Sequence, residues 1–398
     1  MSSVVERAAG LRYRDRVLAL CTFAFFVTMF GRLAISPVVP RITESFAVSN
    51  AAIGLALSGM WLAYGLAQFP SGVLADRYGE RAVILVSVGG TGVAALLIAL
   101  APAYPAFVVT TVLLGAVAGL HYSVGTTFLA RIYDDVGTAV GIHNTGATVA
   151  GLLTPVAVTW VAVRYGWRPA VALGGVVGLV GVVLFAAGVR PTEPQRPDQP
   201  LRERFRVGPL AELLSRPAIG FTVVLAALGE FAWQGVASFL PTLLIEHHGY
   251  SATAAGIAFG GYFVAQGIAQ VLVGIASDRV GRDATTAVCV VVGAAGIALA
   301  LATPNVVLIG VAVALIGIGM SFGAALLPRF LDHLSASEQG AGFGLVRTVY
   351  MLVAASGSVV VGFLADVAGW GIAFGTVAAL LLVVAAGLAA NRLLGLGW

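Results

Sequence analysis

Three ionisable side chains, Glu230, Arg32 and Arg347, lie inside hydrophobic segments of a chain that has few other charges in such segments. An ionised side chain in the hydrocarbon core of a bilayer costs at least about 2.5 kcal/mol, so such residues usually face a cavity. Arginine offers paired donors that suit a carboxylate or a phosphate. A carboxyl group at the same depth can carry a proton. Together the three residues predict a path for a small anion and a proton.

The composition is that of a membrane protein. Of 398 residues, 59% are hydrophobic and 10% charged, whereas a soluble domain averages about 25% charged residues. All 22 basic residues are arginine, and most of them are scattered among the loops, which argues against nucleic-acid binding despite a net charge of +4. Cys21 and Cys289 lie in apolar segments, so we expect small core residues rather than a disulfide or a metal site.

The hydrophobic segments predict an all-α membrane protein with twelve transmembrane helices. A helix needs about 20 apolar residues to cross the hydrocarbon core. The first segment is too long for a cleavable signal sequence. The predicted spans, numbered 1 to 12 in chain order, cover residues 17–39, 53–75, 82–101, 106–129, 139–162, 170–189, 217–241, 255–275, 284–302, 306–328, 341–362 and 371–391.

The segment 190–216 separates two halves of six spans each. It is rich in proline and arginine, which predicts a cytoplasmic linker between an N-terminal half, 1–189, and a C-terminal half, 217–398. With the N-terminus in the cytoplasm, seventeen arginines fall on the inner side, and only Arg41, Arg164 and Arg168 on the outer side. The positive-inside rule therefore predicts a multi-pass protein of the cell membrane with both termini cytoplasmic.

The two halves repeat each other. Gly72-Val-Leu-Ala-Asp76-Arg77-Tyr-Gly79-Glu80-Arg81 returns as Gly274-Ile-Ala-Ser-Asp278-Arg279-Val-Gly281-Arg282-Asp283, 202 residues later. Further matches are Arg131 and Asp134 with Arg329 and Asp332, and Gly166-Trp167 with Gly369-Trp370. Duplicated six-span halves are typical of transporters that bind substrate between the halves near the membrane midplane.

The repeated loop resembles the most diagnostic motif of the major facilitator superfamily, although Glu80 and Asp283 replace residues that are usually basic. The resemblance covers essentially the whole chain and implies a pseudo-symmetric transporter in which Asp76, Arg77, Asp278 and Arg279 form gating loops. These loops are expected to contact helix ends of the neighbouring half.

Span 1 gives a narrower resemblance. Arg32, followed by Ser36-Pro37 and Pro40, is similar to the organic-anion and organophosphate branches, which carry a substrate-binding arginine in this span. Gly31 stands where those branches often have an acidic residue. The branch resemblance therefore rests mainly on Arg32 and implies that this arginine binds an anionic substrate.

Polar residues at helical spacing predict which spans line the cavity. Spans 3, 6, 9 and 12 have almost none and are expected to face lipid, whereas the other eight carry polar stripes. The predicted substrate-binding residues are Arg32, Tyr64, Tyr122, His143, Asn144, Trp233, Gln234, Gln266, Arg347 and Tyr350, with Glu230 as the proton-coupling residue.

Several structural readings of these residues stay open. Glu230 and Arg32 could form a purely structural ion pair. Either arginine could extend along its helix to the nearest membrane surface. His121 and His143 could be hydrogen-bonded packing residues rather than proton carriers.

The sequence favours a secondary transporter and not an enzyme. It has no phosphate-binding loop for ATP, and no cofactor or metal is expected. The predicted partners are a small, anionic molecule and the lipid bilayer, and the protein is expected to be a monomer. The hypothesis is proton-coupled transport of a small organic anion by alternating access, with import preferred. One alternative is a proton-coupled exporter of drugs or amphipathic compounds, which Trp61, Trp233, Tyr262 and Tyr350 would contact; another is a non-transporting sensor or scaffold.

Overall fold

The computed structural model describes residues 2–197, 208–334 and 341–398, and nearly all of them are helical. The long helices begin and end where glycine, proline and capping residues interrupt the apolar segments. Their bounds are Ser2–Leu33, Asn50–Tyr78, Glu80–Ala99, Tyr104–Gly119 with His121–Ile132, Val136–Tyr165, Trp167–Gly188, Pro217–Glu246, Ala252–Val280, Arg282–Ala302, Val306–Gly319 with Gly323–Asp332, and Ala341–Ala354 with Gly357–Leu393.

Eleven helical stretches of the described chain are long and apolar enough to cross a membrane. The last of them, Val346–Leu393, has 48 residues and is too long for one span. It breaks at Gly369, whose φ of 82° is not helical, and this break separates spans 11 and 12. Gly166, the equivalent residue of the N-terminal half, has a φ of 89° between spans 5 and 6. The twelve-span prediction is confirmed.

Span 1 departs from its predicted range, 17–39. The long helix ends at Leu33, and a short 3-10 helix, Ser36–Val38, leads into a second short helix, Val39–Phe46. Pro37 and Pro40 have no backbone N–H to donate, so they start new helical segments instead of continuing the first. Arg32 therefore lies in the last helical turn, where the helix dipole favours a cation.

Spans 4 and 10 break at equivalent places. Leu120 separates the two helices of span 4, and residues 320–322 separate those of span 10. Close packing requires glycine just before each break. A Cβ on Gly119 would stand 2.5 Å from the carbonyl oxygen of Tyr64, and one on Gly317 would stand 2.5 Å from that of Tyr262. The linker also contains a short helix, Gly208–Ser215, which was not predicted; Arg202, Arg204 and Arg206 lie outside the described residues.

Hydrogen bonds join the two halves on the face that carries the ends of span 1 and the start of span 2. Ser36 Oγ donates to the carbonyl oxygen of Ser238, 2.8 Å away, and the backbone N–H of Val359 donates to Ser58 Oγ, 2.9 Å away. We call this side the closed face. In the orientation predicted from the arginines, it is the outer one.

A further polar contact of the closed face involves Asp366 of span 11. Its carboxylate accepts bonds from the backbone N–H groups of Asn50, at 3.1 Å, and Ala51, at 2.7 Å. These are first-turn donors of the span 2 helix, which have no partner within that helix. An acidic residue of one half thus caps a helix of the other.

The repeated loops lie on the opposite side, which we call the motif face. The two acidic replacements in the motif bind the equivalent arginines at the ends of spans 4 and 10: Glu80 pairs with Arg131, and Asp283 pairs with Arg329 at 2.8 Å. These four charges explain how both loops tolerate an acidic residue at an ordinarily basic place. Both pairs stay within one half.

The predicted gating residues lie on this face. The carbonyl oxygen of Asp76 accepts a bond from the linker N–H of Arg196 at 2.9 Å, and Asp278 pairs with Arg282 at 2.6 Å. Arg77 and Arg279 are exposed. Their contact with the neighbouring half during gating stays a prediction.

Candidate substrate-binding cavity

A cavity of about 350 Å³ lies between the two halves. Its walls come from spans 1, 2, 4, 5, 7, 8, 10 and 11, and no described residue of spans 3, 6, 9 or 12 contributes. The polar stripes of the sequence thus indicated the lining helices correctly. Predicted residues on the wall are Arg32, Tyr64, Tyr122, Asn144, Glu230, Trp233, Gln234, Gln266 and Arg347.

Arg32 is held rigidly at the end of the span 1 helix. Its guanidinium lies 3.9 Å from the ring centroid of Tyr64 and 5.1 Å from that of Trp61. Its Nε donates to the carbonyl oxygen of Thr28 at 3.2 Å, and Nη2 contacts the sulfur of Met29 at 3.2 Å. The side chain is 3% exposed, so it does not extend to the membrane surface. Stacking fixes the plane of the donors that remain for a ligand.

Arg347 enters the cavity from span 11 and is less constrained. Its guanidinium lies 5.1 Å from the ring centroid of Tyr122, and its Nε is buried without a hydrogen-bond partner among the described residues. A buried charged donor without an acceptor is expensive. An incoming anion would supply that acceptor.

Glu230 lies near Arg347 rather than near Arg32. Among the described residues, Arg347 is the arginine whose charge acts on Glu230, and no arginine nitrogen comes within 4.0 Å of its carboxylate. The hypothesis of a structural ion pair with Arg32 is therefore wrong for this arrangement. Position along each helix suggested that pair, but position alone does not say which way a side chain points.

The charges of the cavity suit an anionic ligand. Arg32 and Arg347 are close enough for their charges to repel each other, and Glu230 is the one acidic residue on the wall that the structure describes. With all three ionised, the set sums to +1; with Glu230 protonated, it sums to +2. A monoanion suits the first state and a dianion the second, and low-dielectric surroundings strengthen both attractions.

Two predicted binding residues do not reach the cavity wall. Tyr350 is fully buried and stacks on Phe330 of span 10, with ring centroids 6.1 Å apart. His143 is fully buried against His121 and Phe25, with ring centroids 5.3 Å and 5.0 Å apart. Successive helical residues turn by about 100°. Asn144 therefore faces the cavity while its neighbour in sequence faces the interior of the N-terminal half.

Apolar side chains form much of the wall, and the polar pattern alone did not single them out. Four of them share a helix face with polar lining residues, one or two turns away, and Met351, for example, follows Arg347 by four residues; Met320 and Phe322 lie at the break of span 10. Helical spacing from the predicted arginines was the signal that could have found several of them. The set includes Phe25, Met29, Phe263, Met320, Phe322 and Met351.

Comparison with known proteins supports the fold and the family. The model of the Major Facilitator Superfamily matches residues 21–255 and 221–394. The chain is similar to a structure of a bacterial homologue of the human lysosomal transporter Spinster in an inward-facing, unoccupied conformation, with a TM-score of 0.79 and 16% identity, covering 96% of this chain and 97% of the other.

Two curated relatives are similar over shorter stretches. The membrane sensor protein UhpC of Escherichia coli (strain K12) is 27% identical over 45% of this chain and 42% of its own length. The probable sulfoacetate transporter SauU of Cupriavidus necator is 28% identical over 44% of this chain and 41% of its own length. These matches span less than half of each relative. The match of the family model is much broader, and by it the chain belongs to the Major Facilitator Superfamily, a family of membrane transporters rather than enzymes.

Proposed function

We propose that this protein is a secondary transporter that moves a small organic anion together with a proton. It does so by alternating between two conformations. The observation that carries the proposal is the pair of cavity arginines, Arg32 and Arg347, one from each half, with no carboxylate bound to either among the described residues. The relative SauU is named as a probable transporter of sulfoacetate, a small dianion, which supports the same substrate class.

Coupling follows from competition for Arg347. An ionised Glu230 attracts this arginine, whereas a protonated Glu230 releases it to a substrate anion. The anion and the proton then bind together more readily than either binds alone. Transfer across the membrane requires the contacts of the closed face to separate and the halves to rock about the cavity. A proton gradient directed into the cell would make this cycle an importer.

The anion class is tested by thermal unfolding of the purified protein with sulfoacetate, simple carboxylates, organic phosphates and hydrophobic cations. A ligand of the folded state raises the unfolding temperature by mass action. We expect anions to stabilise the protein and Arg32→Gln to remove that effect. Stabilisation by the cations alone would overturn the anion assignment.

Proton coupling is tested with Glu230→Gln, which fixes a neutral side chain. In proteoliposomes, this variant should lose accumulation driven by a pH gradient but keep exchange of labelled for unlabelled anion, because exchange needs no net proton movement. Full pH-driven accumulation in the variant would exclude Glu230 as the coupling residue. The two histidines, His121 and His143, would then be the next candidates.

Two observations favour other functions, and the flux measurement in proteoliposomes distinguishes them from anion transport. Aromatic side chains such as Trp61 and Trp233, whose ring centroids are 5.3 Å apart across the two halves, would also suit an amphipathic compound. Export of such compounds predicts flux of the hydrophobic cations. The similarity to a membrane sensor protein raises signalling without transport, which predicts binding but no flux of any tested compound.

A further inference from the structure

Among the described residues of the cavity wall, one amide lacks hydrogen-bond partners at both of its polar atoms. Gln234 of span 7 is completely buried, and neither its Nε2 nor its Oε1 has a hydrogen-bond partner among the described residues. Leaving a buried polar group unpaired costs about 1–3 kcal/mol. A leucine at this place would avoid that cost. The position therefore needs a reason other than stability of this arrangement.

A second glutamine of the same wall shows what a structural amide looks like. Gln266 of span 8 donates from Nε2 to the carbonyl oxygen of Met320 at 3.1 Å and so ties span 8 to span 10. Gln234 makes no such bond to any described residue. Ser238, one turn further along span 7, makes the contacts that a structural role would require, because it accepts from Ser36 through its carbonyl and bonds Ser358 through its hydroxyl at 2.7 Å.

We infer that Gln234 recognises a hydroxyl group on the transported anion; this inference rests on the proposed function. An amide offers a donor and an acceptor side by side, and a hydroxyl is the smallest group that can satisfy both. The N-terminal half adds Asn144, whose buried Oδ1 also lacks a partner among the described residues. Each half thus contributes an amide oxygen that can accept a hydrogen bond from a substrate hydroxyl.

The position of Gln234 fits a substrate whose charged end is held elsewhere. It follows Glu230 by one helical turn and lines the same cavity as Arg32. The arginines would bind the acidic group of the substrate, and Gln234 would hydrogen-bond a hydroxyl on the rest of the molecule. The amide is enclosed in this arrangement, so contact requires neighbouring wall side chains to shift when the ligand binds. The substrate class is hydroxylated organic anions: hydroxy acids, sugar acids or sugar phosphates.

A hydrogen bond from Gln234 would make the site selective for hydroxylated anions. A site built to hydrogen-bond a substrate hydroxyl rejects the analogue that lacks it, because the buried polar groups stay unpaired. An apolar pocket discriminates far less between such analogues. We therefore expect the hydroxylated member of a matched pair to bind at least about tenfold more tightly.

The test measures binding to the full-length protein by thermal unfolding and by competition. The probes are butyrate against 2-, 3- and 4-hydroxybutyrate, and propyl phosphate against glycerol 3-phosphate. The proteins are the unaltered chain, Gln234→Leu and the control Gln68→Leu, which changes a buried glutamine of span 2 that is not on the cavity wall. We expect at least one hydroxylated probe to bind about tenfold more tightly than its simple anion, both in the unaltered chain and in Gln68→Leu. In Gln234→Leu the advantage should shrink to about twofold or less while the simple anion keeps its affinity.

Each other outcome is decisive. If the simple anions bind as tightly as every hydroxylated probe, the inference is wrong and the proposed anion transport stands. If Gln234→Leu still binds the hydroxylated probe about tenfold more tightly than the simple anion, another residue recognises the hydroxyl and the inference is wrong. If sulfoacetate stabilises the protein but no anion of either set binds, the inference fails and the proposed anion transport stands; if sulfoacetate fails as well, both fail. A Gln234→Leu protein more stable than the unaltered chain would independently support an amide kept for a ligand.

Discussion

The two halves present their cavity arginines differently. In the N-terminal half, Arg32 lies against two aromatic rings and bonds a backbone carbonyl, so its guanidinium has one orientation. In the C-terminal half, Arg347 lies over the ring of Tyr122, its Nε has no partner among the described residues, and it feels the charge of Glu230. One arginine is fixed before a ligand arrives, and the other is free to change partners.

This difference suggests a division of labour within a duplicated fold. A preorganised site binds with little loss of side-chain freedom, which suits constant recognition of the acidic group. An arginine that alternates between Glu230 and an anion suits coupling, because its partner can change with protonation. The duplicated backbone supplies two equivalent frameworks, and the side chains give each a different task.

The largest effect should come from the fixed arginine. Arg32→Gln should weaken anion binding by at least about 30-fold, because truncating one partner of a buried charge pair costs about 2–5 kcal/mol. Arg32→Lys should also impair binding, since lysine has neither the planar fork nor the stacking surface. Arg347→Lys should retain more affinity because that site is not preorganised. Thermal unfolding of each variant at increasing anion concentration measures the order of the anion affinities. Equal losses of anion affinity in Arg32→Lys and Arg347→Lys would contradict the proposed difference between the two arginines.

The ion pairs of the motif face differ in a similar way. In the N-terminal half the acid is the buried member: Glu80 is 3% exposed, and Arg131 is half-exposed. In the C-terminal half the base is buried: Arg329 is 5% exposed and also bonds Thr222 and the carbonyl oxygen of Trp398. Loss of the partner therefore leaves Glu80 with less support than Arg329.

Arg131→Gln should lower the unfolding free energy by about 3 kcal/mol, and Asp283→Asn by less, because breaking a buried pair leaves an uncompensated charge. The control is Asp332→Asn, which removes a half-exposed partner of Arg282 and should cost under about 1 kcal/mol. Unfolding midpoints in one detergent give the comparison. A larger loss in Asp283→Asn than in Arg131→Gln would reverse the assignment of the sensitive half.

These contrasts show where sequence reasoning was sufficient. The cost of burying polar groups in lipid forces them toward a cavity, so the stripe containing Arg32 and Thr28, or Glu230 and Gln234, identified the lining helices. The repeated loops and Gly166 and Gly369 identified the duplication. Both signals are local in the chain and need no knowledge of how helices tilt.

Other features depend on tertiary geometry that sequence spacing does not contain. A turn of about 100° per residue decides that Asn144 lines the cavity and His143 does not, but which face points inward is set by packing. The partner of Glu230 depends on the relative placement of spans 7 and 11. The end of the span 1 helix at Leu33 was missed because apolar residues continue beyond it and only Pro37 and Pro40 mark the break.

The closed face offers a smaller effect on the conformational equilibrium. Asp366→Ala removes a cap from the span 2 helix that only one conformation provides, so the face should open more often, by about fivefold for a change near 1 kcal/mol. The control is Glu246→Gln, since Glu246 bonds Trp370 within its own half at 2.9 Å. The measurement is the rate at which an impermeant thiol reagent labels Ser58→Cys in a chain with both native cysteines replaced.

Faster labelling in Asp366→Ala than in Glu246→Gln is the expected result, and equal rates would show that the cap does not hold the halves together. The side from which the reagent acts also tests the predicted orientation of the termini. Labelling from the cytoplasmic side would place the closed face inside.

The smallest effect compares two equivalent helix caps. Ser49 Oγ accepts the N–H of Ala52 at the start of span 2, and Ser251 Oγ accepts that of Ala254 at the start of span 8, both at 3.2 Å. In the span 2 helix, Asp366 also accepts from two other first-turn donors, the N–H groups of Asn50 and Ala51. Ser251→Ala should therefore cost about 1 kcal/mol of unfolding free energy, and Ser49→Ala less than half of that. In an Asp366→Ala background, Ser49→Ala should cost as much as Ser251→Ala, because the first turn of the span 2 helix then keeps neither capping side chain. This double-mutant cycle isolates the coupling between the two caps. Strictly additive losses would mean that the aspartate of one half does not support the helix of the other, and the two halves would then be alike at this face.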